Sequence, residues 1–136
     1  MSIALADKLA QDPAKTAGAA LRTFFNIAAA WKLDTEQAMT LLGFEPSTRS
    51  TFFKWKRAPE SARLTREKLE RLSYIFGIYK DLQILLPREE AADSWIRRPN
   101  AAPLFAGQSA LDRMLSGNVA DLYVVRQYLD AQRGWS

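Results

Sequence analysis

Apolar side chains recur at helical spacing along most of the chain. The first group, at positions i, i+3, i+4 and i+7 of one helical face, is Leu21, Phe24, Phe25 and Ala28. Asp12 and Pro13 precede this group, and the pair is typical of a helix start, because aspartate caps the first turn and proline lacks only an N–H that would be unpaired there. The pattern therefore predicts a first helix that ends near Trp31.

Two short helices with a glycine-containing turn between them are predicted next. Asp34 and Gln37 have the spacing of a capping box at the start of the first one, which runs over 35–42. Gly43 follows and favours the left-handed conformation that ends helices. Ser47 is predicted to cap the second helix, which ends at Arg57, and the pair has the form of a helix-turn-helix.

A long helix follows, and its apolar positions keep helical spacing from Leu69 to Leu86. Thr65 is predicted to cap this helix and Pro87 to end it. Gly77 lies inside it, where glycine is less favourable than alanine by about 1 kcal/mol. Gly77 therefore indicates either a bend or a close helix crossing.

The remaining chain is predicted to form short helices on either side of one loop. A helix from about residue 88 to Trp95 or Ile96 precedes the loop, which runs to Gln108 and contains two prolines. Ser109 and Asn118 are predicted to cap the last two helices. The final helix is expected to start at residue 119 and to reach about residue 132, before Gly134 ends it.

No segment alternates between apolar and polar residues in the manner of a strand. We therefore expect an all-α fold. Its N-terminal part, over 1–87, is predicted to be a helix-turn-helix bundle, and residues 88–136 are predicted to form a small helical module.

Composition removes several classes of function. The chain contains no His and no Cys, which excludes a disulfide framework and thiolate metal sites and removes the commonest general base. We therefore expect a protein that is not an enzyme and that uses neither cofactor nor metal. No apolar run approaches the roughly 20 residues that span a bilayer, and no signal peptide is apparent. A cytoplasmic protein without membrane contact is expected.

The net charge of +4 lies entirely in the first 87 residues, which contain 13 basic and 9 acidic side chains. Phe52 and Trp55 are three residues apart and are expected to face the core, which leaves a basic face opposite them. Arg49 on that face is the best candidate to read a guanine edge, and the Lys and Arg around it would hold phosphates, together with Arg63 and Arg66. The candidate DNA-binding residues are Thr48, Arg49, Ser50, Phe53, Lys54, Lys56 and Arg57. A solvated helix face would have the same composition, so both interpretations stay open here.

Three stretches of the C-terminal part resemble one known family. They are Trp95-Ile96-Arg97-Arg98-Pro99-Asn100, the run from Leu104 to Gly117, and Tyr128-Leu129-Asp130-Ala131-Gln132-Arg133-Gly134-Trp135. These stretches resemble the toxin-binding domain of the Xre/MbcA/ParS-type antitoxins, and the upstream helix-turn-helix with Gly43 and Lys54-Trp55-Lys56 resembles the Xre-like half of the same proteins. Two departures concern local detail: the family often has proline where this chain has Ala110, and a second glycine at Ala106.

The resemblance implies the antitoxin of a bacterial type II toxin–antitoxin pair whose toxin is a RES-domain enzyme that degrades NAD. It further implies that the C-terminal domain covers the toxin's active-site cleft and that the helix-turn-helix binds the promoter DNA of the operon, as a homodimer or within the toxin complex. The candidate toxin-binding residues are Arg98, Pro99, Asn100, Phe105, Gly107, Arg133, Gly134, Trp135 and Ser136.

The residues themselves also fit a protein interface. Tryptophan offers a large rigid apolar body with one N–H, and glycine before Trp135 lets the chain turn into a cleft. Phe105 and Trp135 lie on no predicted helical core face and are expected to be surface contacts. Trp95 is also consistent with a core residue and Asn100 with a turn former. The alternative function is a stand-alone helix-turn-helix repressor whose C-terminal module only dimerises it.

Overall fold

The computed structural model describes residues 12–134, which form seven α-helices and no β-strand, so the predicted all-α fold is confirmed. No helix in this range is long and apolar enough to cross a membrane. Three short 3₁₀ turns also occur, at Pro46–Thr48, Pro59–Ser61 and Trp95–Arg97. The helices are α1 Pro13–Ala30, α2 Thr35–Leu41, α3 Arg49–Arg57, α4 Arg66–Leu85, α5 Glu89–Ser94, α6 Ala110–Met114 and α7 Val119–Gln132.

The chain divides into two compact units between Ser73 and Tyr74, within α4. The domain boundary predicted after Pro87 falls just beyond the end of α4. The predicted boundary separates the helix-turn-helix bundle over 1–87 from the helical module over 88–136, and it stays a prediction.

The N-terminal unit begins its helices where the capping residues predict. Asp12 accepts a hydrogen bond from the Lys15 amide at 3.3 Å. In the capping box of α2, Asp34 accepts from the Gln37 amide at 2.8 Å, and the Gln37 side chain accepts from the Asp34 amide at 3.0 Å. These bonds satisfy amides that a helix start would otherwise leave unpaired.

Gly43 ends α2 in the left-handed conformation, with φ of 81°. A Cβ atom at this position would lie 2.6 Å from Nε of Arg71. Glycine is therefore required here both by the backbone conformation and by the close approach of a side chain.

Aromatic side chains hold the helix-turn-helix together. Phe52 of α3 packs edge-on against Phe25 of α1 and Phe44 of the turn, with ring centroids 5.5 Å apart in both pairs. Trp55 packs edge-on against Phe44 at 5.0 Å. Because Phe52 and Trp55 are buried, the core face predicted for α3 is confirmed.

The start of α3 differs from the prediction. Residues 46–48 form a 3₁₀ turn that begins with Pro46, and α3 begins only at Arg49, without a side-chain cap. The Thr48 hydroxyl donates back to the Glu45 carbonyl at 2.8 Å. The predicted Ser47 cap is therefore wrong, because proline places a tight turn where the cap was expected.

The C-terminal unit contains the second half of α4 together with α5, α6 and α7. Gly77 of α4 lies against the Arg126 guanidinium of α7, so closely that a Cβ atom would overlap it. Glycine at this position leaves room for the Arg126 side chain, and the bend and the close helix crossing both stay predictions. The buried apolar side chains of this unit include Ile75, Ile78, Leu82, Ile96, Phe105, Leu111, Met114, Leu122, Val125 and Leu129.

The last two helices have different caps. Ser109 caps α6 as predicted, accepting from the Asp112 amide at 3.0 Å. Asn118 makes no side-chain cap for α7. The Ser116 hydroxyl accepts from the Asn118 amide at 3.0 Å and donates to Asp121 at 2.5 Å, so a serine two residues earlier organises this helix start.

Candidate DNA and protein interfaces

The outer face of α3 is basic and open to solvent. The side chains of Arg49, Lys54, Lys56 and Arg57 are exposed, and Thr48 and Ser50 are exposed beside them. Phe53, another candidate DNA-binding residue, is half-buried. The exposed surface of α3 therefore presents four cations, which suits a phosphate backbone.

Arg49 is held in place by two neighbours. Its guanidinium donates to the Glu36 carboxylate of α2 and lies 5.5 Å from the centroid of the Phe53 ring. Both partners of the ion pair are exposed, and such pairs contribute only about 0 to 1 kcal/mol. A DNA base or phosphate therefore competes with Glu36 for Arg49 at small cost.

Two basic residues further along the chain, Lys68 and Arg71, make contacts that stabilise the fold. Lys68 Nζ donates to the carbonyls of Leu42 and Gly43, at 3.3 and 3.2 Å, and lies 4.5 Å from the Phe44 ring centroid. Burial lowers the pKa of Lys68. Arg71 is only 6% exposed and donates to Glu67 at 2.8 Å. Arg71 also donates to the Thr40 carbonyl of α2 at 3.5 Å, so both side chains hold the end of α2 and the turn after it against α4.

In the C-terminal unit, residues 99–109 form a closed loop. Pro99 and Ser109 are joined by an antiparallel bridge, and the Asn100 amide donates to the Gln108 carbonyl at 2.9 Å. The Asn100 side chain accepts from the Ala102 amide at 2.9 Å. Asn100 is thus a turn former, the alternative left open for it, and its side-chain oxygen already has a hydrogen bond.

The expectation that Phe105 is a surface contact is wrong, because its side chain is only 4% exposed. The Phe105 ring packs edge-on against Trp95 at 5.9 Å and against Tyr128 at 5.2 Å. Trp95 and Tyr128 are themselves stacked, with an interplanar angle of 22°. These three rings form a small core under the loop, which no helical period in the sequence predicted.

The loop is also tied to the two last helices. Arg113 of α6 donates to the Leu104 carbonyl and to Asp121 of α7, both at 2.9 Å. Hydrogen bonds from Ser116 and Arg113 lower the pKa of Asp121. Arg98, Pro99 and Gly107 are exposed at the surface of this loop, and Arg98 donates to the Ser94 hydroxyl at 2.7 Å. The loop thus presents these residues from a fixed base.

Two successive residues of the loop have positive φ, Ala106 at 52° and Gly107 at 85°. An alanine in this conformation is strained by about 1 kcal/mol, whereas glycine adopts it freely. We expect Ala106→Gly to raise the free energy of unfolding by about 0.5 to 1 kcal/mol and Gly107→Ala to lower it by a similar amount. Urea unfolding monitored by tryptophan fluorescence measures both changes.

Gly117→Ala provides a matched comparison, since Gly117 also has positive φ, 91°, and a Cβ atom there would meet no neighbour within 4 Å, as at Gly107. It should lose about as much stability as Gly107→Ala. If Ala106→Gly lowers the free energy of unfolding, backbone strain at Ala106 does not limit the stability of the protein.

The end of α7 is anchored by its last charged residue. Arg133 Nη1 donates to Asp81 of α4 at 2.7 Å, and the Arg133 side chain is only 15% exposed. The expectation of Arg133 as a free contact group is therefore corrected, because its guanidinium is committed within the chain. Gly134 follows with φ of 88° and ends the helix as predicted. Trp135 and Ser136 lie outside the described residues.

Comparison with known proteins identifies both halves of the chain. Residues 10–77 match the family model of the antitoxin Xre-like helix-turn-helix domain. Residues 81–134 match the antitoxin Xre/MbcA/ParS C-terminal toxin-binding domain. The chain is 55% identical over 116 residues to the uncharacterized protein y4oB of Sinorhizobium fredii, with 85% of each protein covered. No solved structure matches the chain significantly.

Proposed function

The chain belongs to the Xre/MbcA/ParS antitoxins, with an Xre-like helix-turn-helix followed by a toxin-binding domain, and we propose that its toxin is a RES-domain enzyme that degrades NAD. The C-terminal domain covers the active-site cleft of that toxin and keeps NAD out. The helix-turn-helix binds the promoter of the shared operon and represses it.

The toxin-binding role rests chiefly on the loop over 99–109. Hydrogen bonds across its base and the aromatic cluster beneath it hold the backbone in one conformation. A surface that is ordered before binding loses less conformational entropy when the partner docks. Arg98, Pro99 and Gly107 form the contact surface of this loop, whereas Asn100 and Phe105 keep it in shape.

Neutralisation by occlusion requires binding alone. The second contact is the segment from Gly134 onward, which leaves α7 through a left-handed residue. Tryptophan and arginine dominate the energetics of many protein interfaces, and Trp135 is the large side chain of this segment. No catalytic residue of the antitoxin takes part in this mechanism.

The DNA-binding role rests on the exposed basic face of α3. Helix-turn-helix proteins place their second helix in the major groove and bind two half-sites as dimers. We assign base contact to Arg49, with Thr48 and Ser50 beside it, and phosphate contact to Lys54, Lys56 and Arg57. Phe53 supports Arg49 from below. Repression is carried out by a homodimer or by a larger assembly with the toxin.

The test uses the gene adjacent to this one. Its product is expressed in bacteria with and without this chain, while growth and cellular NAD are measured. We expect growth arrest and NAD loss that the chain prevents, co-purification of the two proteins, and a gel shift with the upstream promoter DNA. Promoter binding without protection would favour the stand-alone repressor, and protection without change in NAD would exclude an NAD-degrading toxin.

A further inference from the structure

Two carboxyl groups and two guanidinium groups meet between α4 and α7. Asp81 of α4 has a side chain only 3% exposed, and its Oδ1 accepts from Arg133 at 2.7 Å. Its other oxygen, Oδ2, is buried and accepts no hydrogen bond from an N–H or hydroxyl group of the described residues. Asp130 of α7 lies beside Asp81 and pairs with Arg126 at 3.6 Å.

The neighbouring carboxyl group favours a proton on Asp130. Burial, a hydrogen bond with Asp81 and the negative charge of Asp81 together raise the pKa of Asp130 to about 6, against the opposing effect of Arg126 and Arg133. Two adjacent carboxyl groups in a buried site resist double ionisation. When protonated, the Asp130 carboxyl group can donate a hydrogen bond to Asp81.

The last turn of α7 depends on this cluster. The Arg133 amide donates to the Leu129 carbonyl at 3.1 Å and the Gly134 amide to the Ala131 carbonyl at 3.0 Å. Ala131 and Gln132 are exposed there. A helix end with few buried contacts opens easily, and the bond from Arg133 to Asp81 ties this one to α4.

We propose that Asp81 is a positioning residue for toxin binding, which holds Arg133 and so fixes the direction in which the chain leaves α7. Its effect on the toxin rests on the proposed function, but its effect on the helix end does not. The groups that face Asp130 are Asp81 from α4 and Arg126 and Arg133 from α7 itself.

The proton on Asp130 makes the stability of the fold depend on pH, and the raised pKa gives the direction of this dependence. Because the pKa of Asp130 is raised in the folded state from 3.8 to about 6, its proton stabilises the fold. This contribution is fully present below the ordinary aspartate pKa and is lost as the pH rises through about 6.

The test follows the amides of Arg133 and Gly134 by NMR between about pH 5 and about pH 8, bracketing the titration. In the wild-type chain both signals should shift with a midpoint near pH 6. In Asp130→Asn and in Asp81→Asn the titration should disappear, because an amide then donates permanently to the remaining carboxylate. Asp93→Asn makes the same charge change at the Gln83 contact and should leave the midpoint in place.

Asp81→Ala removes the acceptor of Arg133. Hydrogen-exchange protection of the Arg133 and Gly134 amides should fall roughly tenfold, while protection in the middle of α7 is kept. Wild-type protection in Asp81→Ala, or an unchanged midpoint in both asparagine variants, would overturn the proposal. If Asp81→Ala does not fold, the asparagine variants still decide it.

Binding to the toxin separates this inference from the proposed function. Asp81→Ala should bind the toxin about tenfold more weakly than Asp93→Asn does, because a helix end that is no longer held must be ordered when the toxin docks. Equal affinity of the two variants would overturn the positioning role. If the wild-type chain does not bind the neighbouring gene product, the proposed function fails, and the amide titration alone then decides whether Asp81 positions the helix end.

Discussion

Deletion of Trp135 and Ser136 is expected to abolish protection against the toxin and to leave promoter binding unchanged. Tryptophan anchors at interfaces often contribute 2 kcal/mol or more, and a loss of this size weakens binding by about 30-fold or more. The two residues follow Gly134, whose left-handed conformation ends α7. Protection is measured as growth with the toxin gene induced, and toxin binding as the dissociation constant of the purified pair. Promoter binding is measured by a gel shift.

Two variants make this result specific. Trp135→Phe keeps an apolar ring and should lose only part of the affinity, because the indole N–H and part of the buried area are removed. Gln132→Ala changes an exposed residue at the end of α7 and should bind like the wild type. Full protection by the truncated chain would mean that Trp135 and Ser136 are not needed to neutralise the toxin.

The helices were predictable from the sequence because their signals are local. Leu21 and Phe24 share a helical face, and the spacing of Asp34 and Gln37 places a capping box within four residues. Such contacts involve side chains one turn apart. The caps assigned to Ser47 and Asn118 failed because another nearby residue, Pro46 or Ser116, determines the local turn.

The candidate sites were less predictable, since their residues depend on contacts between distant parts of the chain. Phe105 has no helical period around it, yet Tyr128, 23 positions later, covers its ring. Arg133 was a candidate toxin contact, but Asp81 of α4 binds it within the chain. Lys68 is one of the 13 basic side chains of the first 87 residues, but its ammonium group donates to carbonyls at the end of α2. Sequence spacing reports none of these contacts.

The exposed basic side chains allow the salt dependence of promoter affinity to be predicted. Six basic side chains between residues 49 and 66 are exposed, namely Arg49, Lys54, Lys56, Arg57, Arg63 and Arg66. If the five other than Arg49, which is assigned to the bases, meet phosphates, promoter affinity should fall by about 500-fold between about 50 and about 200 mM salt, because each neutralised phosphate releases counterions. Fluorescence anisotropy with labelled promoter DNA over this salt range measures the slope.

A triple variant of α3 tests which cations act. Replacing Lys54, Lys56 and Arg57 by glutamine removes three of the five phosphate contacts, so the logarithmic salt slope should change from about −4.5 to about −2. The control replaces Lys15, Lys32 and Lys80, which are exposed outside this stretch, and removes the same charge. Equal slopes for both variants would mean that net charge alone attracts DNA and that α3 is a solvated face. A shallower dependence of affinity on salt in the α3 variant alone would place the phosphate backbone along α3, with Arg49 at the bases.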